Sequence, residues 1–224
     1  FLLLGIFLIT AVGAEVVTQD LGVSILENDV AYVYRRDFRI DQNIVDVFND
    51  MSFDVVFINE MDIASANLSR FRFVFVGDEV FRNSSAIKIN EFPSLIVNYH
   101  HVGDWGLTDT DGASQLGGTA ALSVRRGGEV TRVYTRAFKR DRISIPYYFL
   151  ASENRAESLI QVAATMRTSS GDLGDVISYA FPGVELENGK IAEKQICYFG
   201  IIESNFWTPA ARELFEECVR FAAG

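Results

Sequence analysis

A chain of 224 residues with 49% hydrophobic content is long enough to bury one α/β core and short for two domains. Its formal net charge of −10 and pI near 4.7 argue against binding to a nucleic-acid backbone or an anionic membrane surface, because both require a basic patch. The two cysteines, Cys197 and Cys218, sit in no CxxC or metal-ligand spacing, and no Gly-rich phosphate loop follows a strand in register, so neither a metal nor a cofactor is expected.

The first fourteen residues, FLLLGIFLITAVGA, form an apolar run with Val12 and Ala14 at the −3 and −1 positions of a cleavage site after Ala14. This reads as the hydrophobic region of a signal peptide, which places the protein outside the cell or on its surface and leaves residues 15–224 as a single domain. The run is short for a membrane span of roughly 20 residues. A retained N-terminal anchor, the one route to membrane contact, and a buried first strand are the alternatives.

Downstream, VAYVY (30–34) reads as a strand, and the stretch from Asp41 places Ile44, Val45, Phe48 and Met51 at helical spacing behind an N-cap residue. FDVVFINE (53–60) is nearly continuous in apolar character, as in a parallel strand covered on both faces. FRFVFVGD (71–78) and PSLIVN (93–98) add two more strands. Strands at this spacing predict a flavodoxin-like, doubly wound and mostly parallel sheet, with sites just beyond the carboxyl ends of the strands.

From Thr119 to about Lys194 the pattern becomes β-rich, with EVTRVYTRAF, ISIPYYFLA, SLIQVAAT and DVISYAF separated by polar or glycine-containing breaks. Antiparallel hairpins added to the parallel core fit this better than a second domain, since no Pro- or Ser-rich linker intervenes. The glycine segments 112–118 and 127–128 read as turns. KQICYFGI (194–201) is a last strand, followed by a helix from Thr208 with Pro209 at its first position and Leu214, Phe215, Cys218 and Val219 on one face. A disulfide between Cys197 and Cys218 is open to an exported chain, but two free, buried cysteines are the expectation. Asn67-Leu68-Ser69 and Asn83-Ser84-Ser85 match the N-glycosylation acceptor pattern, which matters only where exported proteins are glycosylated; chance occurrence is the expectation.

The polar residues at strand exits are the candidate site. His100 and His101 are followed by Asp104 and Trp105, a set able to supply a general base, a carboxylate partner and a stacking surface. Adjacent residues on an extended strand point in opposite directions, so the two histidines are not expected to share one metal. Asn59, Glu60 and Asp62, then Gly77, Asp78 and Glu79, then Glu203, Ser204, Asn205, Phe206 and Trp207 occupy neighbouring exits. Carboxylates, amides and indoles on one rim suit a sugar, with solvated loops as the plainer alternative. The ligand-binding set is therefore His100, His101, Asp104, Trp105, Glu203, Asn205 and Trp207.

Three stretches, SLIVNYHHVGDWGLT, ALSVRRGGEVTRVYT and ICYFGIIESNFWTPAARELFEECVRFA, together with the order of elements, resemble the class I glutamine amidotransferase-like superfamily, especially its non-catalytic, trehalose-utilisation-like exported modules. That resemblance implies a catalytic Cys in a sharp turn after the strand SLIVN and a His in a late loop. Here the turn reads Asn98, Tyr99, His100, His101 and the late loop Ile202, Glu203, Ser204, so both are missing and no thiolate can be activated. The reading is an exported, non-catalytic module that binds a ligand such as a carbohydrate, or assembles with another extracellular protein. A hydrolase of sugar or amide bonds using His100, Asp104 and Glu203, and a structural subunit of a surface layer or filament, are the alternatives.

Overall fold

The computed structural model describes residues 29–117, 120–126, 129–135, 146–167 and 171–224; the apolar segment 1–14 and Gly127-Gly128 lie outside them. β1 (Asp29–Tyr34) leads through a 3-10 turn (Asp37–Arg39) into α1 (Gln42–Asp50) and on to β2 (Asp54–Asn59). α1 begins where the sequence predicts. The Asp41 carboxylate accepts hydrogen bonds from the backbone N–H groups of Asn43 (3.0 Å) and Ile44 (3.3 Å), and Ile44, Val45, Val47 and Phe48 are buried.

β3 (Phe73–Val76) and β4 (Ser94–Ile96) follow, preceded by 3-10 turns at Leu68–Arg70 and Ser84–Ala86 where a regular doubly wound fold would carry helices. The β-rich middle supplies β5 (Ser114–Gly117), β6 (Ala120–Arg126), β7 (Glu129–Thr135), β8 (Pro146–Ala151), β9 (Ile160–Arg167) and β10 (Gly171–Ala180). β11 (Ile196–Phe199) and α2 (Pro209–Ala223) close the chain. Thr208 caps α2, its hydroxyl accepting from Ala211 N–H at 3.2 Å, with Pro209 just inside.

The strands form one mixed sheet of order β2-β1-β3-β4-β11-β10-β9-β6-β7, with β8 pairing to β10 and β5 to β8. The first five strands are mutually parallel, in the flavodoxin-like order, and the remainder are antiparallel. β10 is long enough to pair with β11 through Ile177–Ala180 and with β8 through Gly174 and Asp175. Gly200 lies at that handover: a Cβ there would stand 2.0 Å from the Tyr148 carbonyl oxygen, so only glycine lets the two backbones approach.

Successive side chains of the central strands bury on opposite faces. Tyr32, Phe73, Phe75, Leu95, Cys197 and Phe199 pack beneath α1 and α2. Ala31, Val33, Val74, Val76, Ile96 and Tyr198 face a layer of loops carrying Ile63, Leu68, Phe71, Ile87, Trp105 and Leu107.

Three expectations change. The run 53–60 is not a strand covered on both faces: among the described residues β2 is a terminal strand of the sheet, and Phe57 is 44% exposed. The segment 112–118 is not only turn, because Ser114–Gly117 pairs with β8. Cys197 and Cys218 are not free thiols. They form a disulfide with a Cα–Cα distance of 5.9 Å, since the one apolar face of α2 lies directly over β11.

Candidate functional site

The order of the parallel strands reverses between β1 and β3, and the carboxyl ends of these strands open into a crevice. A cavity of about 350 Å³ occupies it. Tyr32, Phe75 and Val97 form part of its lining, together with Phe38, Arg39, Asp41 and Gln42 from the loop into α1, Asp78 after β3, and Glu203 and Asn205 after β11. Phe38 is 79% exposed beside polar groups, with the Arg36 guanidinium over one face of its ring at 5.3 Å from the centroid.

Each wall is fixed by hydrogen bonds of its side chains, to backbone and to one another. Tyr32 OH accepts from the Asp41 N–H at 3.0 Å, and burial pushes the phenol pKa up, keeping it neutral. Asp41 accepts from Ser204 Oγ at 2.7 and 2.6 Å through its two oxygens, while Asn43 Nδ2 donates to Asn205 Oδ1 at 2.8 Å. The start of α1 is thereby tied to the exit of β11. Arg39 donates to the Asp78 carbonyl at 3.0 Å and approaches its carboxylate at 3.5 Å.

Glu79 is only 2% exposed and is not available to a ligand. Its carboxylate accepts from the backbone N–H groups of Arg35 and Arg36 and pairs with Arg36 Nε at 3.1 Å, joining the exits of β1 and β3. Glu60 likewise pairs with Arg35 and accepts from Arg82 N–H, and Asn59 bonds locally to Arg35 and Met61.

The turn after β4 is built on Asn98. Its buried amide donates to the carbonyls of Gly77 (2.8 Å) and Glu79 (2.7 Å) and accepts from the N–H groups of His100 (2.9 Å) and His101 (3.2 Å). All four hydrogen-bonding positions of the side chain are filled. This is a bracket between two strand exits and leaves no free group for chemistry.

His100 and His101 diverge, as their adjacency implies. His101 is buried: its Nε2 accepts from Phe81 N–H at 2.9 Å, which puts the ring proton on Nδ1, and Nδ1 lies 2.8 Å from Asp104 Oδ2. Burial opposes the charge of Asp104, but hydrogen bonds from Ser84 and His101 hold its carboxyl below the usual range. Trp105 is buried and donates from Nε1 to the Ser84 carbonyl at 3.0 Å. These three residues are thus bonded to one another and to the turn at 84–86.

His100 instead lies partly exposed against Tyr99, with ring centroids 3.8 Å apart, and its Nε2 is 3.8 Å from Asp78 Oδ1. Burial first, then the proximity of His101 and the Arg39 guanidinium, depress its pKa and keep it neutral. Tyr99 stacks on Tyr148 at 3.9 Å. Burial pushes the Asp78 carboxyl up to about 6 against the pull of Arg39, with Glu203 and Glu79 adding to the rise. Asp78 Oδ1 and Tyr198 OH, both buried, have no hydrogen-bond partner among the described residues.

The sequence-derived set therefore divides. Glu203 and Asn205 line the cavity and His100 approaches it through Asp78, whereas His101, Asp104 and Trp105 sit in the adjoining bonded turn. Trp207 lines a separate cavity of about 430 Å³ between α1 and α2, donates from Nε1 to the Ile201 carbonyl at 2.7 Å, and packs on Phe199 and Phe215. Arg39, Gln42 and Phe38 were not legible as site residues, because nothing local marks a loop that folds inward over the switch point. The strand-exit rule does reach Asp78. Among the described residues no group of three or more His, Cys, Asp or Glu side chains could hold a metal ion.

No protein-family model matches the chain, and no curated protein matches it in sequence. Among solved structures, a Thermoplasma acidophilum protein described as a GMP synthase subunit superposes with a TM-score of 0.53 at 12% identity, covering 87% of this chain and 94% of that one. A glutamine amidotransferase of Thermotoga maritima (TM-score 0.45, 8% identity, 87% and 95% coverage) and PurLQS of the same organism (0.45, 9%, 86% and 98%) are more distant in shape. With its parallel order, antiparallel extension and terminal helix, the chain has the α/β fold of glutamine amidotransferase-like domains.

Proposed function

We propose that this chain is an exported, non-catalytic amidotransferase-like module, of the trehalose-utilisation-like kind, that binds a carbohydrate in the cavity at the β1–β3 switch point. The carrying observation is the pairing there of an exposed aromatic face, Phe38, with Asp78, Glu203 and Asn205 around 350 Å³ of space. Aromatic faces stack on sugar C–H groups while carboxylates and amides take hydroxyls. A binding role is supported by the turn after β4, where the resemblance implies a catalytic Cys: it reads Asn98, Tyr99, His100, His101, with Tyr99 or His100 at the position of the thiol. Export is supported by the apolar segment 1–14 and the buried Cys197–Cys218 disulfide. Titration calorimetry against a panel of neutral, acidic and amino sugars tests the reading. Binding that falls at least about tenfold in Phe38→Ala and Asn205→Ala is expected, and a chain that binds none of the panel overturns it.

A hydrolase of sugar or amide bonds is the second reading, favoured by the approach of neutral His100 to Asp78, whose pKa of about 6 lets it hold a proton in mildly acidic solution. Release of reducing ends from the bound sugar, abolished by Asp78→Asn with binding retained, distinguishes it from the first.

A further inference from the structure

We infer that Asn67 and Asn83 are acceptor sites for N-linked glycans, an assignment that rests on the export reading. Each lies in an Asn-X-Ser triplet, on the loop-covered face of the sheet. Both asparagines are exposed, and each is the residue before a 3-10 turn, clear of any strand. In both, Oδ1 accepts from the hydroxyl two residues on, Ser69 Oγ and Ser85 Oγ, at 2.7 Å. No hydrogen bond to another described residue engages either Nδ2. Asn43, Asn59, Asn90, Asn98 and Asn188 donate through the amide nitrogen, and Asn49, Asn154 and Asn205 have no Ser or Thr two residues on.

The repeated geometry sets the chemistry. The acceptor is the side-chain amide and the donor is an oligosaccharide linked through phosphate or pyrophosphate to a polyprenyl lipid. Asn Nδ2 attacks the sugar C1 carbon, the N–C1 bond forms and the C1–O bond breaks. The lipid phosphate leaves with the electron pair, and a base of the transferase takes the amide proton. The folded chain has room for the product at both positions, because neither side chain contributes to the core.

Asn67 also lines a groove beside β2, along with Val56, Phe57 and Phe71. With Phe57 44% and Met61 72% exposed, a glycan at Asn67 stands beside a strand edge that no other described strand pairs with, of the kind that promotes association.

The test is to secrete the full chain behind a foreign cleavable leader from an N-glycosylating host and map intact mass and peptides before and after peptide-N-glycosidase. Two mass steps are expected, each enzyme-sensitive and leaving Asp at 67 and 83. Asn67→Gln and Ser69→Ala should each remove the same single step, Ser85→Ala the other, and Ser69→Thr neither. Secreted chain with unmodified Asn67 and Asn83 overturns the assignment. If both are modified behind the foreign leader but the chain's own residues 1–14 fail to direct export, the export reading falls while the acceptor geometry stands.

Discussion

Asn98 and Glu79 lock the rim from opposite ends: the Asn98 amide donates to the Glu79 carbonyl at 2.7 Å, while the Glu79 carboxylate accepts from the backbone of Arg35 and Arg36. Three strand exits, those of β1, β3 and β4, are thereby held in one arrangement. Replacing Asn98 by Ala strands two buried carbonyls and two N–H groups, so a loss of about 3 kcal/mol is expected in urea unfolding. Asn98→Asp should also destabilise, because a carboxylate cannot donate to the Gly77 and Glu79 carbonyls. No ammonia should be released from glutamine by either variant or by the parent chain.

Asp78 makes stability depend on pH in a definite direction. Its carboxyl has a folded-state pKa of about 6 against the usual 3.8, so the folded state holds the proton more tightly than the unfolded chain. The contribution of Asp78 to stability is then greatest below about pH 4, falls as pH rises toward 6, and stays low above it. A displacement of this size corresponds to on the order of 3 kcal/mol. Asp78→Asn should flatten that part of the profile and raise the midpoint of unfolding at pH 7.

The two tryptophans serve packing in this arrangement. Trp207 rests on Phe215 with centroids 4.7 Å apart and its indole N–H is bonded to the Ile201 carbonyl. Trp207→Ala should cost about 3 kcal/mol, toward the low end for a large aromatic because the residue is only partly buried. Sugar affinity at the Phe38 cavity should change little. A variant of unchanged stability and lost affinity would instead make Trp207 a ligand contact.

The disulfide closes a short loop, with Cys197 and Cys218 separated by 21 positions. Denatured, unreduced protein should show no free thiol by colorimetric titration. The double variant Cys197→Ala, Cys218→Ala should lose about 3 kcal/mol of stability, chiefly through greater freedom of the unfolded chain.

Much of the architecture is local in origin. The apolar runs at β1, β3, β4 and β11, the Asp41 and Thr208 caps, and the face of α2 carrying Leu214, Phe215, Cys218 and Val219 are set by periodicity and by residues within one turn of one another. The missing Cys in the turn after β4 was equally plain in the sequence. Tertiary structure decided the rest. Which apolar strand lies at the edge depends on strand order, and Phe57 is exposed for that reason. Which of two adjacent histidines is buried depends on a partner twenty residues away, the Phe81 N–H. Where the cavity lies depends on Asp41 meeting Ser204 across 163 positions. Composition and spacing fix what a segment can become, but bonds between distant residues form only after the sheet has ordered its strands, and those bonds place the site.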